Sequence, residues 1–212
     1  MSIKLTDRDL KLFHWLNGFG FATVDQIAKH WDVSNVCVYR RMLGLSTAGY
    51  ITHERIFHGK PGVYRVTAEG VKVAGGELSP LKKINLQSYH HDLDVLNLSF
   101  SLLEAHGQGS QFLPERWLRH EKGLRGVGQK GHIPDGVFAT SDGQKYAIEL
   151  EISLKGSRRR KKILDSYLKN FDYQEVWYFC SRETFQRLDE HKNNYKFLKV
   201  MEWHGQQNNP LG

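Results

Sequence analysis

The chain has 212 residues, with 30 Lys and Arg against 23 Asp and Glu, a net charge of +7 and a pI near 9.3. That excess favours nucleic acid or an anionic surface over a small acidic ligand. No apolar run approaches the ~20 residues that span a membrane, Met1 to Thr6 carry no secretory apolar core, and Cys37 and Cys180 stand far apart, so a cytoplasmic protein with reduced thiols and no membrane segment is expected.

The length allows one large domain or two small ones. Thr6 to Asn17 reads as a helix: Thr6 can cap it, Asp7 and Asp9 suit its first turn, and Leu10, Phe13 and Leu16 repeat at helical spacing. Gly18 and Gly20 end it. Thr23 caps a short helix, Val24 to His30, with Ile27 and Ala28 inward. Val33 and Ser34 make a turn, and Ser34 caps a third helix running to about Thr47. Val38, Met42 and Leu45 face its core. Asn35, Cys37, Arg40, Arg41 and Gly44 face outward, with Tyr39 at the boundary. Tyr50 to Phe57 and Val63 to Thr67 are strand-like, joined by His58-Gly59-Lys60-Pro61-Gly62.

Helices and hairpin in this order, over about residues 6–75, resemble the winged helix-turn-helix. The resemblance implies a third helix in the major groove of double-stranded DNA, with the wing on the backbone. It puts Ser34, Asn35, Arg40 and Arg41 on the DNA, and Arg55 and Lys60 on phosphates. An Arg suits guanine and an Asn adenine.

Ala68 to Ala74 reads as a helix, and Gly75 to Pro80 as a linker. The boundary falls there, giving domains at 1–76 and 82–205. Tyr89 to Ala105 is a longer helix with Leu93, Leu96, Leu98, Leu102 and Leu103 inward. Gln111 to Leu113 is a short strand, and Trp117 and Leu118 begin a further element. Glu121 to Gly131 is a glycine-rich basic loop without the Gly-Lys-Ser/Thr end of a phosphate-binding loop.

His132 to Lys169 carries the chemistry. Ile133 to Ala139 is an apolar run holding one acid, Asp135. Ser141 to Gly143 is a hairpin turn. Tyr146 to Ile152 is a second apolar run with Glu149 and Glu151 two apart, hence on one face. Strand pairing can bring Asp135 beside them. Three carboxylates in an apolar hairpin need something positive among them, and a hard divalent cation with oxygen ligands is the economical candidate. The basic run Ser157 to Lys162 follows and suits a polyanion. Ile163, Leu164, Tyr167, Leu168 and Phe171 form an apolar helix face. Glu175 to Cys180 is a buried strand, Thr184 to Lys192 a helix, and Phe197 to Trp203 a last strand.

Pro134-Asp135, then Glu149-Leu150-Glu151, then a basic helix, resembles the PD-(D/E)XK restriction-endonuclease-like core. The order from Tyr89 matches its αβββαβ arrangement, making the whole an α+β or α/β chain. Glu151 departs from the pattern, which has a lysine there; Lys155, Lys161 or Lys162 could supply it. The resemblance implies Mg²⁺ or Mn²⁺ held by Asp135, Glu149 and the Leu150 carbonyl, with Glu151 positioning metal or water and Lys155 or Lys161 steadying the transition state. Arg158, Arg159 and Arg160 would meet phosphates, and Asp94 or Glu104 could add a ligand. His90, His91 and His132 read as core or surface residues.

A winged helix fused to such a core is similar to the plasmid replication-relaxation family, to which the MOBC-type relaxases belong. That likeness implies nicking of one strand at a transfer origin, accessory or coupling proteins as partners, and a possible homodimer. The usual His-hydrophobe-His metal motif of relaxases is absent, and no nucleophile can be chosen among the nine tyrosines. The competing expectation is a non-catalytic DNA-binding regulator with a degenerate nuclease-like domain. A winged helix serving protein assembly is a third.

Overall fold

The computed structural model describes residues 3–123, 132–152, 156–168, 172–189 and 194–205. The chain is mixed α and β with two separate sheets, and divides into two compact units, Met1–Tyr89 and His90–Gly212.

The first unit runs α1 (Asp7–Phe19), β1 (Ala22–Thr23), α2 (Val24–Trp31), α3 (Asn35–Thr47), β2 (Ile51–Glu54), β3 (Val63–Val66) and α4 (Ala68–Val73). Two capping boxes start its first two helices, Thr6 with Asp9 and Thr23 with Gln26. Ser34 precedes α3 but makes no side-chain cap; its hydroxyl donates to Cys37 Sγ at 3.4 Å. The sheet is antiparallel in the order β1-β3-β2. The two-residue β1 has no apolar alternation to announce it and exists through its pairing with β3. Leu12, Phe13, Leu16, Ile27, Val38, Met42, Leu45 and Ile51 fill the core.

Arg41 is not turned to solvent as expected. Its Nε donates to Asp9 Oδ1 at 2.9 Å, and its Nη2 to Asp9 Oδ2 at 2.5 Å and to the Lys4 carbonyl at 2.9 Å. The Asp9 side chain is fully buried. Burial would raise the Asp9 pKa, but bonds from Arg41 and Thr6 outweigh it and lower the value. The spacing explains the placement: 38, 41, 42 and 45 form an i, i+3, i+4, i+7 stripe, so Arg41 flanks the core face of α3. Two further side chains tie this unit to the Gly75 to Pro80 segment and to Leu81 just after it. Asn17 Nδ2 donates to the Leu78 carbonyl at 2.6 Å, and Arg65 Nη1 to the Leu81 carbonyl at 2.5 Å.

The second unit contains α5 (Tyr89–His106) from His90 onward, β4 (Gln111–Pro114), α6 (Glu115–Glu121), β5 (Gly136–Ala139), β6 (Lys145–Glu151), α7 (Ser157–Tyr167), β7 (Glu175–Cys180), α8 (Arg182–Asp189) and β8 (Leu198–Glu202). The strands lie in the order β4-β5-β6-β7-β8. β4, β5 and β6 pair antiparallel, and β6, β7 and β8 parallel. Period-two alternation splits the core. Ile148, Leu150, Trp177 and Phe179 pack with Val95, Leu98 and Leu102 of α5. Ala147, Val176, Tyr178 and Cys180 pack with Ile163, Leu164 and Tyr167 of α7. A Cβ on Gly136 would lie 2.2 Å from the Phe112 ring, so a side chain there would have to displace that ring. Most of the basic glycine loop, together with Lys155, Lys169, Phe171 and Lys192, lies outside the described residues.

Removing Arg41 leaves a buried carboxylate without its cation. Arg41→Ala is expected to cost about 3 kcal/mol in urea denaturation at neutral pH, while Arg40→Ala stays within about 0.5 kcal/mol. Since the Asp9 pKa is lowered on folding, the contribution of the pair is full above the ordinary carboxylate range and fades as pH falls through the depressed value. The gap between Arg41→Ala and wild type should close there.

Candidate functional site

The register of β5 against β6 pairs Gly136 with Ile148, so Asp135, one residue ahead of β5, comes opposite Glu149. Two backbone bonds fix it: the Glu115 N–H donates to the Asp135 carbonyl at 3.1 Å, and the Leu150 N–H to Asp135 Oδ2 at 2.8 Å. His91, from the first turns of α5, closes the arrangement. Its Nε2 lies 3.2 Å from Asp135 Oδ2 and 3.1 Å from the Leu150 carbonyl oxygen. Its Nδ1 lies 3.3 Å from Asp92 Oδ1.

Every one of those partners is an acceptor, so the ring serves as a double donor, an imidazolium. Burial would lower the His91 pKa, yet the bonds and charges of Asp135 and Asp92 raise it to about 10. The histidine read from sequence as a core or surface residue therefore faces the two oxygens expected to bind a cation.

Glu149 and Glu151 share the face turned to α7, as their spacing requires, but they have different partners. Glu149 is almost fully buried. It is hydrogen-bonded to His132 Nε2 and accepts the Tyr167 hydroxyl. Burial raises its pKa first and the Asp135 charge adds to that, while the His132 and Tyr167 bonds work the other way. Asp135 and Glu149 thus feel one another's charge.

Glu151 is fully buried and held by Arg160, whose Nη2 lies 2.9 Å from Oε1 and whose Nε lies 3.3 Å from Oε2. Tyr178 donates its hydroxyl to Oε2. Arg160, expected on phosphates, is therefore an internal ion-pair partner, and Glu151, expected to position metal or water, is spent on it. The reason is again spacing: 160, 163, 164 and 167 run i, i+3, i+4, i+7 along the sheet-facing stripe of α7. On β6, Glu151 is an acid answered by an arginine from the next helix. Arg158, Arg159 and Lys161 are exposed on α7, and Lys155 lies outside the described residues.

Among the described residues, no group of three or more His, Cys, Asp or Glu side chains is arranged to hold a metal ion. The donors that do converge are one carboxylate oxygen and one backbone carbonyl. Both are hard oxygen ligands of the kind Mg²⁺ and Mn²⁺ take, and both point at a spot where the protein already puts positive charge. The donor chemistry fits such a cation. Asp94 carries a raised pKa mainly through burial and Glu104 is exposed, while from α5 His91 reaches Asp135.

The tyrosines and cysteine nearby are poor nucleophiles. Burial and the adjoining carboxylates raise the pKa values of Tyr167 and Tyr178. Burial, with Glu151 adding, pushes Cys180 up to about 12.

In the first unit, Ser34, Asn35, Arg40, Arg55 and Lys60 are exposed. Asn35 Nδ2 donates to Asp25 Oδ1 at 2.6 Å. Val36, Tyr39 and Leu43 form an exposed apolar stripe on α3 beside Arg40. Of the two arginines expected to reach outward from this helix, Arg40 does so and Arg41 is tied to Asp9.

A buried ion pair resists loss of one partner more than loss of both. Arg160→Ala is expected to cost about 3 kcal/mol or more in urea denaturation, and Arg158→Ala and Arg159→Ala less than about 0.5 kcal/mol. Replacing Arg160 and Glu151 together by Met should recover much of that loss, which a phosphate-binding role for Arg160 would not give. No protein-family model matches the chain, and no curated protein matches it in sequence.

Proposed function

We propose that this chain is a winged helix-turn-helix protein that binds duplex DNA and carries a restriction-endonuclease-like unit, and that it nicks DNA with Mg²⁺ or Mn²⁺ in the manner of the plasmid replication-relaxation proteins. The reading of the first unit is supported by its order: three helices, then a two-stranded wing joined by the short β1. Charge supports it too, since residues 1–89 hold twelve Lys and Arg against seven Asp and Glu. Arg40 and the stripe of Val36, Tyr39 and Leu43 offer one guanine-type donor and apolar contacts of the kind thymine methyls accept. The wing residues Arg55 and Lys60 suit phosphates.

The observation that carries the nuclease reading is the convergence of Asp135 Oδ2 and the Leu150 carbonyl on one point, with Glu149 opposite Asp135. Asp135, Glu149 and the Leu150 carbonyl would hold the cation. When bound, it would lower the pKa of a water and stabilise charge on the phosphoryl group. Arg158, Arg159 and Lys161, at the exposed start of α7, would draw in the strand. The raised pKa values of Tyr167 and Tyr178 make these two tyrosines poor attacking groups.

One observation favours a second reading. Asp135, Glu149 and Glu151 each already have internal partners, in His91, His132 with Tyr167, and Arg160 with Tyr178. A nuclease-like unit so satisfied could act as a non-catalytic accessory to DNA binding.

Supercoiled plasmid incubated with the protein and Mn²⁺ separates the two. Wild type is expected to give open circles, and Asp135→Ala and Glu149→Gln to fall to background while still binding DNA. Binding without nicking on any plasmid tried would establish the accessory reading instead. Arg40→Ala should weaken DNA binding by about 1–3 kcal/mol, and the affinity should fall steeply with salt. Salt-insensitive binding, or none, would remove the DNA reading altogether.

A further inference from the structure

The geometry points to His91 as a nitrogen ligand of the cation site, with Asp92 as the carboxylate that orients it; this rests on the metal-dependent reading above and names a ligand that the motif does not contain. Nε2 is the atom of the ring that faces the site, at 3.2 Å from Asp135 Oδ2 and 3.1 Å from the Leu150 carbonyl. A cation taking those two oxygens would displace the Nε2 proton, which leaves to solvent while Nδ1–H stays on Asp92, and would stand directly before the now neutral ring's Nε2. The other ring nitrogen is engaged from behind: Nδ1 lies 3.3 Å from Asp92 Oδ1. A carboxylate on the far nitrogen of a ligating imidazole fixes the ring orientation and leaves Nε2 as the ligand atom. Adjacent positions on α5 supply both parts, since 91 and 92 are consecutive.

The chemical consequence is selectivity. Two hard oxygens alone suit Mg²⁺. An added imidazole shifts a site toward the later first-row ions, and so toward Mn²⁺ over Mg²⁺. His91 therefore sets which divalent ion this chain prefers, besides helping to hold it.

The test uses the full-length chain and the metal alone. Mn²⁺ and Mg²⁺ are titrated by calorimetry into wild type, His91→Ala, His91→Gln, Asp92→Asn and Asp135→Ala, with thermal unfolding to show that each variant is folded. Pulsed electron paramagnetic resonance of bound Mn²⁺ reads nitrogen coordination directly. Wild type is expected to show a histidine nitrogen coupled to Mn²⁺, absent in both His91 variants. Loss of His91 should weaken Mn²⁺ about 10- to 100-fold, on the order seen for ligand-orienting partners, and weaken Mg²⁺ less, narrowing the preference. Asp92→Asn should weaken Mn²⁺ while keeping the nitrogen signal. Unchanged or tighter Mn²⁺ binding in the His91 variants, with Asp135→Ala still abolishing it, would overturn this inference and leave the cation site standing. No Mn²⁺ binding by wild type would overturn both.

Discussion

A carboxylate taken out of water must find positive charge or hydrogen-bond donors nearby, because the unpaired ion costs several kcal/mol even after the protein relaxes. The second unit buries two acids completely or nearly so, Glu149 and Glu151, with Asp135 close by. Much of what is particular about this unit answers that demand. α7 delivers Arg160 and Tyr167, β7 delivers Tyr178, and α5 delivers His91. The elements around β6 are thereby fixed in orientation as well as packed.

The first unit uses the same device once. Asp9 closes the cap of α1 through Thr6 and simultaneously accepts from Arg41 of α3. A single buried acid so couples helix initiation to helix packing. It also divides the labour of two neighbouring arginines, since Arg41 is occupied and Arg40 is presented to solvent beside Val36, Tyr39 and Leu43.

For function, the acids differ in what their satisfaction implies. The Glu151–Arg160 pair is buried on both sides and has the character of a structural brace. The Asp135–His91 contact is partly open to solvent, and its partners are a carboxylate and a carbonyl that suit a metal as well as an imidazolium. A hydrogen-bonded imidazolium keeps the two oxygens converged when no cation is there.

Much of the fold was written locally. Caps at Thr6 and Thr23, the apolar spacing of 38, 42 and 45, and the alternation of Ala147, Glu149 and Glu151 are short-range facts, and helices and strands follow from short-range periodicity. The opposition of Asp135 and Glu149 was legible for the same reason, since a tight turn at Ser141 to Gly143 sets the register between them. The extent of the first unit was not, because Asn17 and Arg65 reach carbonyls more than a dozen residues away. Nor were the partners of the acids. Arg41 and Arg160 do stand at core spacing, but a charged residue on the edge of an apolar stripe can turn outward or inward, and only the acid waiting opposite decides it. His91 lies 44 residues before Asp135, and no local pattern links them. The sequence alone determined which strands carry the carboxylates; tertiary packing chose what neutralises each, because that choice depends on which side chain from a distant helix arrives within hydrogen-bonding reach.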